Sequence, residues 1–371
     1  METVTVGLGD RSYNILIEAG CLSRTGSFVR GACGVNTRSA AVVTSHTVAG
    51  LYLDAVSDSL AEEGFEVTAI VLPDGEEHKT IASWERILTR LIEARFERTS
   101  VIVALGGGVT GDIAGFAAAA LLRGVPFVQV PTTIVAQVDS SIGGKVAVNH
   151  PLGKNLIGSF HQPRGVFIDT RVLRTLDPRE VVSGMGEAVK HAVIRDESFF
   201  SFLEEHLESI MRFDANDEIM ERFIAWNCRI KAGVVAADER ESGLRAILNY
   251  GHTVGHALET ATGYVRFSHG EAVALGMIAA AEIARGRGLL AGRETNRQNA
   301  LLARVGVNGA VGDIAPDAVL EAMRRDKKVS GGRIRFVLPS RIGAADVYSD
   351  VSEEEILRGV EVMGAWCRES R

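Results

Sequence analysis

Three of the chain's nine histidines, His252, His256 and His269, fall within eighteen residues. His252 and His256 stand at i and i+4 in NYGHTVGH, so on a helix they face the same way and can bracket one ion. Upstream, GMGEAVKH places Glu187, Lys190 and His191 within about one helical turn. Glu187 with two imidazoles would leave coordination positions open for substrate oxygens, as a catalytic zinc requires. Taken alone, Glu187 and Lys190 at i, i+3 read as a surface ion pair; the histidine cluster turns the reading towards metal. Lys231, Arg245 and Asn249 precede the histidine pair in KAGVVAADERESGLRAILNYGH. Cations beside a metal site fit a substrate bearing phosphate or carboxylate, while a solvated helix face explains Glu239 and Arg240 equally well.

A second group of residues suits phosphate. ALGGGVTGD, residues 104–112, follows an apolar run and opens an apolar helix, so backbone N–H groups and a helix N-terminus could meet a pyrophosphate. It is not the standard GxGxxG spacing, and a glycine turn after a strand is also ordinary packing chemistry. Residues 123–168 add Arg123, Lys145, Lys154 and Arg164 against the single carboxylate Asp139, a local positive excess inside an acidic protein. Within it PTTIVAQVDSSIGGKVAVNHPLGKN, residues 131–155, reads as a long loop of hydroxyls, glycines and two lysines suited to phosphate, or as a solvated loop with incidental lysines.

These segments need elements to position them. The apolar runs 42–44, 67–72, 101–105 and 127–130 read as parallel strands covered on both faces, alternating with helices at 48–63, 81–94 and 112–122. After residue 177 long helical patterns take over, at 178–193, 198–213, 217–238, 245–262 and 269–287, with one late strand at 333–338. The expectation is an α/β chain: an N-terminal Rossmann-like parallel-sheet domain, residues 1–176, followed by a mainly α-helical C-terminal domain, residues 177–371. The 371 residues exceed the ~250–300 at which a single core stops growing. With 46% hydrophobic and 23% charged residues the chain is globular, and its net charge of −7 argues against a surface built for nucleic acid. Its longest apolar stretches are shorter than the ~20 residues of a membrane span, Glu2 and Asp10 do not suit a signal-peptide start, and Cys21, Cys33, Cys228 and Cys367 match no zinc or redox spacing. Buried free thiols, a cytoplasmic location and no membrane partner are expected.

In sequence order, the phosphate stretch, GMGEAVKH, DERESGLRAILNYGHTVGHALE and HGEAVALGM resemble the motifs of the 3-dehydroquinate synthases, a likeness running from DGEEHK at 74–79 to DKK at 326–328. The resemblance implies a lyase of the shikimate pathway, in aromatic amino acid (chorismate) biosynthesis. It would cleave a carbon–oxygen bond to phosphate, converting 3-deoxy-D-arabino-heptulosonate 7-phosphate to 3-dehydroquinate through transient oxidation by NAD, phosphate elimination, re-reduction and aldol closure. It implies NAD, one divalent metal (zinc or cobalt) and a homodimer. On matching positions, Glu187, His252 and His269 would hold the metal. NAD would meet Asp74, Gly75, Glu76, Glu77, His78, Lys79, Gly107, Gly108, Val109, Thr110, Gly111, Asp112, Thr132, Thr133, Lys145, Lys154, Val172, Leu173, Arg174 and Thr175. Substrate would meet Asp139, Lys145, Asn155, Lys190, Lys231, Arg245, Asn249, His256 and Lys327, with Arg123 reaching its phosphate from the partner subunit. Catalysis would fall to His256, Glu241, Lys145, Asp139 and Lys190, with His256 and Glu241 as proton carriers. Two alternatives share much of this plan: a cyclase acting on sedoheptulose or glucose phosphate, and an iron-type polyol or alcohol dehydrogenase.

Overall fold

The computed structural model describes residues 1–307, 314–329 and 334–369. Contacts group the chain into two units, Met1–Leu176 with Asn216–Arg240, and Asp177–Ala215 with Glu241–Arg371.

The first unit carries strands β1 (Glu2–Val6), β2 (Tyr13–Glu18), β3 (Ser39–Ser45), β4 (Glu66–Leu72), β5 (Val101–Gly106), β6 (Phe127–Pro131), β7 (Lys145–His150), β8 (Gly153–Phe160) and β9 (Gly165–Asp169). Seven form one sheet in the order β1-β2-β9-β6-β5-β3-β4, parallel throughout except for the β1–β2 pair. β5, VIVALG, and β9, GVFID, are buried at every residue, which is why they read as continuous rather than alternating apolar runs. Helices α1 (Thr25–Cys33), α2 (His46–Val48), α3 (Asp54–Glu62), α4 (Ile81–Glu93) and α5 (Gly108–Ala120) connect the strands, with a π-turn, Ala49–Leu53, joining α2 to α3. On one face of the sheet Ile87, Leu91, Ile113 and Ala117 pack on Ile102 and Ala104; on the other Val29, Val56 and Leu60 pack on Val42, Val103 and Phe167.

Residues 131–155 are more ordered than a long loop. They contain a π-turn, Ala136–Ser140, and most of the antiparallel β7–β8 hairpin, into which Gly143 and Gly144 lead with φ of 98° and 67°.

The second unit contains α6 (Pro178–Arg195) and α7 (Glu197–Met211), whereas the next helix, α8 (Asp217–Ala237), belongs to the first unit. The chain then supplies α9 (His252–Ala261), α10 (His269–Gly286), α11 (Gly292–Val305), α12 (Pro316–Val329), the hairpin β10 (Phe336–Arg341) with β11 (Ala344–Tyr348), and α13 (Glu353–Glu369). Starts are well capped. Asp177 accepts from Arg179 N ahead of Pro178, Asp196 from Phe199 N, and Ser268 forms a capping box with Glu271.

Two expectations are corrected. Residues 216–240 are not part of the helical domain, because α8 packs on β1 and on the Ala136–Ser140 turn, burying Phe223, Ile224, Cys228 and Val235. Nor is 245–262 one helix: it is a 3₁₀ turn, Leu244–Asn249, and then α9, separated by Gly251 at φ 79°. A Cβ on Gly251 would fall 2.4 Å from the Val273 carbonyl oxygen, so both conformation and space require glycine there. The four cysteines are free, and among the described residues no helix is long and apolar enough to cross a membrane.

Candidate active site

The second unit builds its site on backbone contact between helices. A Cβ on Gly270 of α10 would lie 1.8 Å from the Ser183 carbonyl oxygen of α6, and one on Gly186 would lie 2.4 Å from the Gly270 oxygen. The glycines therefore let α6 and α10 touch directly, and that approach sets Glu187 beside His269. α9, packed on α10, supplies His252 and His256.

Glu187 is fully buried, its Oε1 lying 3.5 Å from His269 Nε2 and 3.9 Å from His252 Nε2. Lys190 forms an ion pair with Oε2, yet neither carboxylate oxygen accepts a hydrogen bond of good geometry. The Glu187–Lys190 pair is thus not a surface ion pair but the buried floor of the histidine cluster. Both imidazoles are oriented through their other nitrogen. His252 Nδ1 donates to the Tyr250 carbonyl at 3.1 Å, and His269 Nδ1 lies 3.3 Å from Glu259 Oε2. Burial, and then the Lys190 charge, push His252 well below its usual 6.5, so its Nε2 lone pair is free of a proton at neutral pH. Burial would lower His269 as well, but its bond to Glu259 and the charge of Glu187 outweigh that and raise it.

His256 is exposed, and its ligand atom lies within 4.8 Å of those of His252 and His269. The donor set therefore offers two trios, one with Glu187 and one with His256. The carboxylate decides between them: Lys190 covers Oε2, and a divalent ion between Glu187, His252 and His269 would cover Oε1, which is buried and accepts no hydrogen bond. This donor set fits a zinc-like metal.

In the first unit, four of the segments matched to NAD follow the carboxyl ends of parallel strands. Asp74 to Lys79 come after β4, Gly107 to Asp112 after β5, Thr132 and Thr133 after β6, and Val172 to Thr175 after β9. In open α/β sheets this edge is where ligands bind. Gly107 precedes α5 and Gly108 begins it; a Cβ on Gly108 would approach Ser140 Oγ to 3.1 Å. Nearby, the buried Lys79 ammonium bridges Asp112 Oδ2 and Asn155 Oδ1, both at 2.5 Å. Asn155, at φ 57°, is held through its N–H by Asn149 Oδ1, whose amide in turn donates to Glu76. Asp74 accepts from the N–H and hydroxyl of Thr47.

The remaining residues divide between the units. Lys231 pairs with Asp139 Oδ1 at 2.5 Å and donates to its carbonyl at 2.6 Å, all within the first unit. Arg245, 3% exposed, and the Asn249–Glu241 hydrogen bond of 2.9 Å belong to the second, so the structure assigns Lys231 and Arg245 to different units. Lys145 and Lys154 lie on β7 and β8. Arg123 is exposed after α5, at φ 68°. Lys327 falls within α12, but its side chain lies outside the described residues.

Two contributors escaped the sequence reading. Glu259 stands seven residues after His252, two turns along the same helical face, and that spacing was the available signal. Tyr52 donates to the Val172 carbonyl at 3.0 Å and lies 2.7 Å from Thr175 Oγ1; no local pattern marks it.

Residues 69–183 match the 3-dehydroquinate synthase N-terminal family and residues 184–329 its C-terminal family. The chain belongs to the 3-dehydroquinate synthase and sugar-phosphate cyclase superfamily. Among solved structures, it is 29% identical to a 2-deoxy-scyllo-inosose synthase complexed with carbaglucose-6-phosphate, NAD+ and Co2+, over 97% of this chain and 99% of that one, with a TM-score of 0.85. It is 26% identical to a 2-epi-5-epi-valiolone synthase from Streptomyces hygroscopicus subsp. jinggangensis 5008 with NAD+ and Zn2+ bound, over 97% and 98%, with a TM-score of 0.88. A glycerol dehydrogenase from Schizosaccharomyces pombe, 17% identical over 96% and 90% with a TM-score of 0.70, shares the fold. Membership makes this chain an enzyme of the sugar-phosphate cyclase type.

Proposed function

We propose that the enzyme is a 3-dehydroquinate synthase, releasing phosphate from 3-deoxy-D-arabino-heptulosonate 7-phosphate and closing the carbocycle. The observation that carries this reading is the Glu187, His252 and His269 cluster, in a chain whose two parts match that synthase's own families. The choice of a carboxylated substrate rests on the match of both parts of the chain to those families.

Bound to the enzyme, NAD would take up and return one hydride, and the metal would polarise the oxygens at the oxidised carbon. Glu187, His252 and His269 hold the metal, with Lys190 fixing the Glu187 carboxylate. The segments at the carboxyl ends of β4, β5, β6 and β9 hold NAD, Gly107 and Gly108 letting backbone N–H groups reach its pyrophosphate. Lys145 and Asn155 retain the leaving phosphate, Asn155 being positioned by Lys79. His256 and Glu241 move protons, and Asp139 holds Lys231 in place. Arg123 lies beyond the far end of α5, about 20 Å of helix from the glycine turn, so it suits a phosphate held by the partner of a homodimer.

A second reading, a cyclase for a phosphosugar without a carboxylate, is favoured by the likeness to the inosose and valiolone synthases. One assay separates these readings. The purified enzyme with NAD and zinc is given the heptulosonate phosphate, sedoheptulose 7-phosphate or glucose 6-phosphate, and phosphate and NADH are followed. Phosphate release from the first alone, without net NADH, is the expected result. Comparable release from a sugar phosphate without a carboxylate would establish the second reading, and accumulating NADH would point to a dehydrogenase.

A further inference from the structure

The first unit has a cavity of about 330 Å³ at the edge of the sheet opposite the glycine turn. Its walls are the segments that enter β2, β9, β6 and β5, four neighbours in the sheet: Arg11 precedes β2, His161 to Arg164 precede β9, Gly124 to Pro126 precede β6 and Arg98 precedes β5. Because the strands are parallel, this amino edge is separated by the length of the strands from the carboxyl edge where NAD is placed. None of the roles proposed for the reaction uses its lining.

The charge of the cavity is specific. Arg11 is already neutralised, through two bonds of 2.5 and 2.7 Å to the Glu239 carboxylate. The guanidinium groups of Arg98 and Arg164 have no hydrogen-bond or ion-pair partner among the described residues. His161 adds no charge: its Nε2 donates to the Val125 carbonyl at 2.9 Å, its ring stacks on Phe127, and burial lowers its pKa. Gln162 donates through Nε2 to Glu239, while its buried Oε1 accepts nothing. The cavity is thus lined by two arginines whose guanidinium groups have no protein partner among the described residues.

We propose that this cavity is a binding site for a small dianion of the phosphate-ester or dicarboxylate class. The two guanidinium groups take the two negative charges through charge-assisted bonds.

The test is calorimetric titration of the full-length protein with malate and, separately, with glycerol 3-phosphate. The wild type should bind at least one of them at one site per chain. Since the carboxyl edge is read as a second anion site, the same titration is run on Lys145→Ala, which should retain this binding. Arg98→Ala and Arg164→Ala should each weaken it about tenfold. Both arginines are exposed, so the variants are expected to fold, and an unchanged melting curve without ligand would verify it. Binding of malate alone identifies a dicarboxylate site and binding of the phosphate ester alone a phosphoryl site; either supports the assignment. Equal affinity in the arginine variants, loss in Lys145→Ala, or no binding of either probe at millimolar concentration would overturn it, whatever the substrate assay shows.

Discussion

At the scale of single residues, the site joins a carboxylate of one helix to imidazoles of two others, each imidazole oriented from behind. If Glu187, His252 and His269 hold the metal, a chelator should abolish activity and zinc or cobalt restore it, while the His252→Ala, His269→Ala double variant should retain no stoichiometric metal on elemental analysis. Glu259 touches only the far nitrogen of His269, so its loss should act on affinity rather than on ligand count. Glu259→Ala should weaken metal binding about 10- to 100-fold in chelator competition, and Glu259→Gln by less. An unchanged affinity in Glu259→Ala would remove it from the site. Lys145→Ala should lower turnover about 100-fold if its charge meets the departing phosphate, with little change in melting temperature.

At the scale of elements, two contacts in the second unit invite separate tests. α6 and α10 meet at Gly186 and Gly270 with no room for a methyl group. Gly270→Ala must push the helices apart, at a cost of about 1–3 kcal/mol, and because Glu187 and His269 ride on those helices, metal affinity should fall with stability. A variant that melts lower yet binds metal normally would show that the approach serves packing alone. Arg287, just after α10, holds Glu355 of α13 through bonds of 2.6 and 2.9 Å. That hydrogen-bonded pairing brings the Glu355 carboxyl down from the usual 4.5 to about 2. A lowered carboxyl stabilises the fold above its unfolded pKa and loses that contribution as pH falls through the folded one. The urea midpoint of Glu355→Gln should therefore trail the wild type by a constant margin at neutral pH, and the margin should close between about pH 4.5 and pH 2. Both groups are partly exposed, so the margin is modest.

At the scale of the whole molecule, the chain leaves its first unit at Leu176 and returns to it with α8. Glu221 of that helix binds the N-terminal ammonium and the Ala19 N–H, and Arg171 binds Asp217, so α8 completes the first unit rather than decorating it. A fragment of residues 1–176 should consequently fail to melt cooperatively, since the buried side chains of α8, each worth about 1.5–3 kcal/mol, would be missing. A sharp, reversible transition in that fragment would show that the sheet stands without its returning helix.

What the sequence determined by itself is local or periodic. Buried parallel strands announce themselves as unbroken apolar runs, Asp177 and Ser268 mark helix starts, and the histidines of NYGHTVGH and HGEAVALGM carry their chemistry in their spacing. The tertiary structure decided which of these segments meet. Nothing in GMGEAVKH distinguishes a surface Glu–Lys pair from a buried one; the distinction lies in Gly270, some eighty residues away. The pattern of α8 shows that it is buried but not against what, and β1 supplies the answer from the other end of the first unit. Likewise Arg98 and Arg164 became neighbours of one cavity only because β5, β6 and β9 lie side by side. Pairing between distant segments is set by packing and by strand order, and a chain read residue by residue contains neither until it has folded.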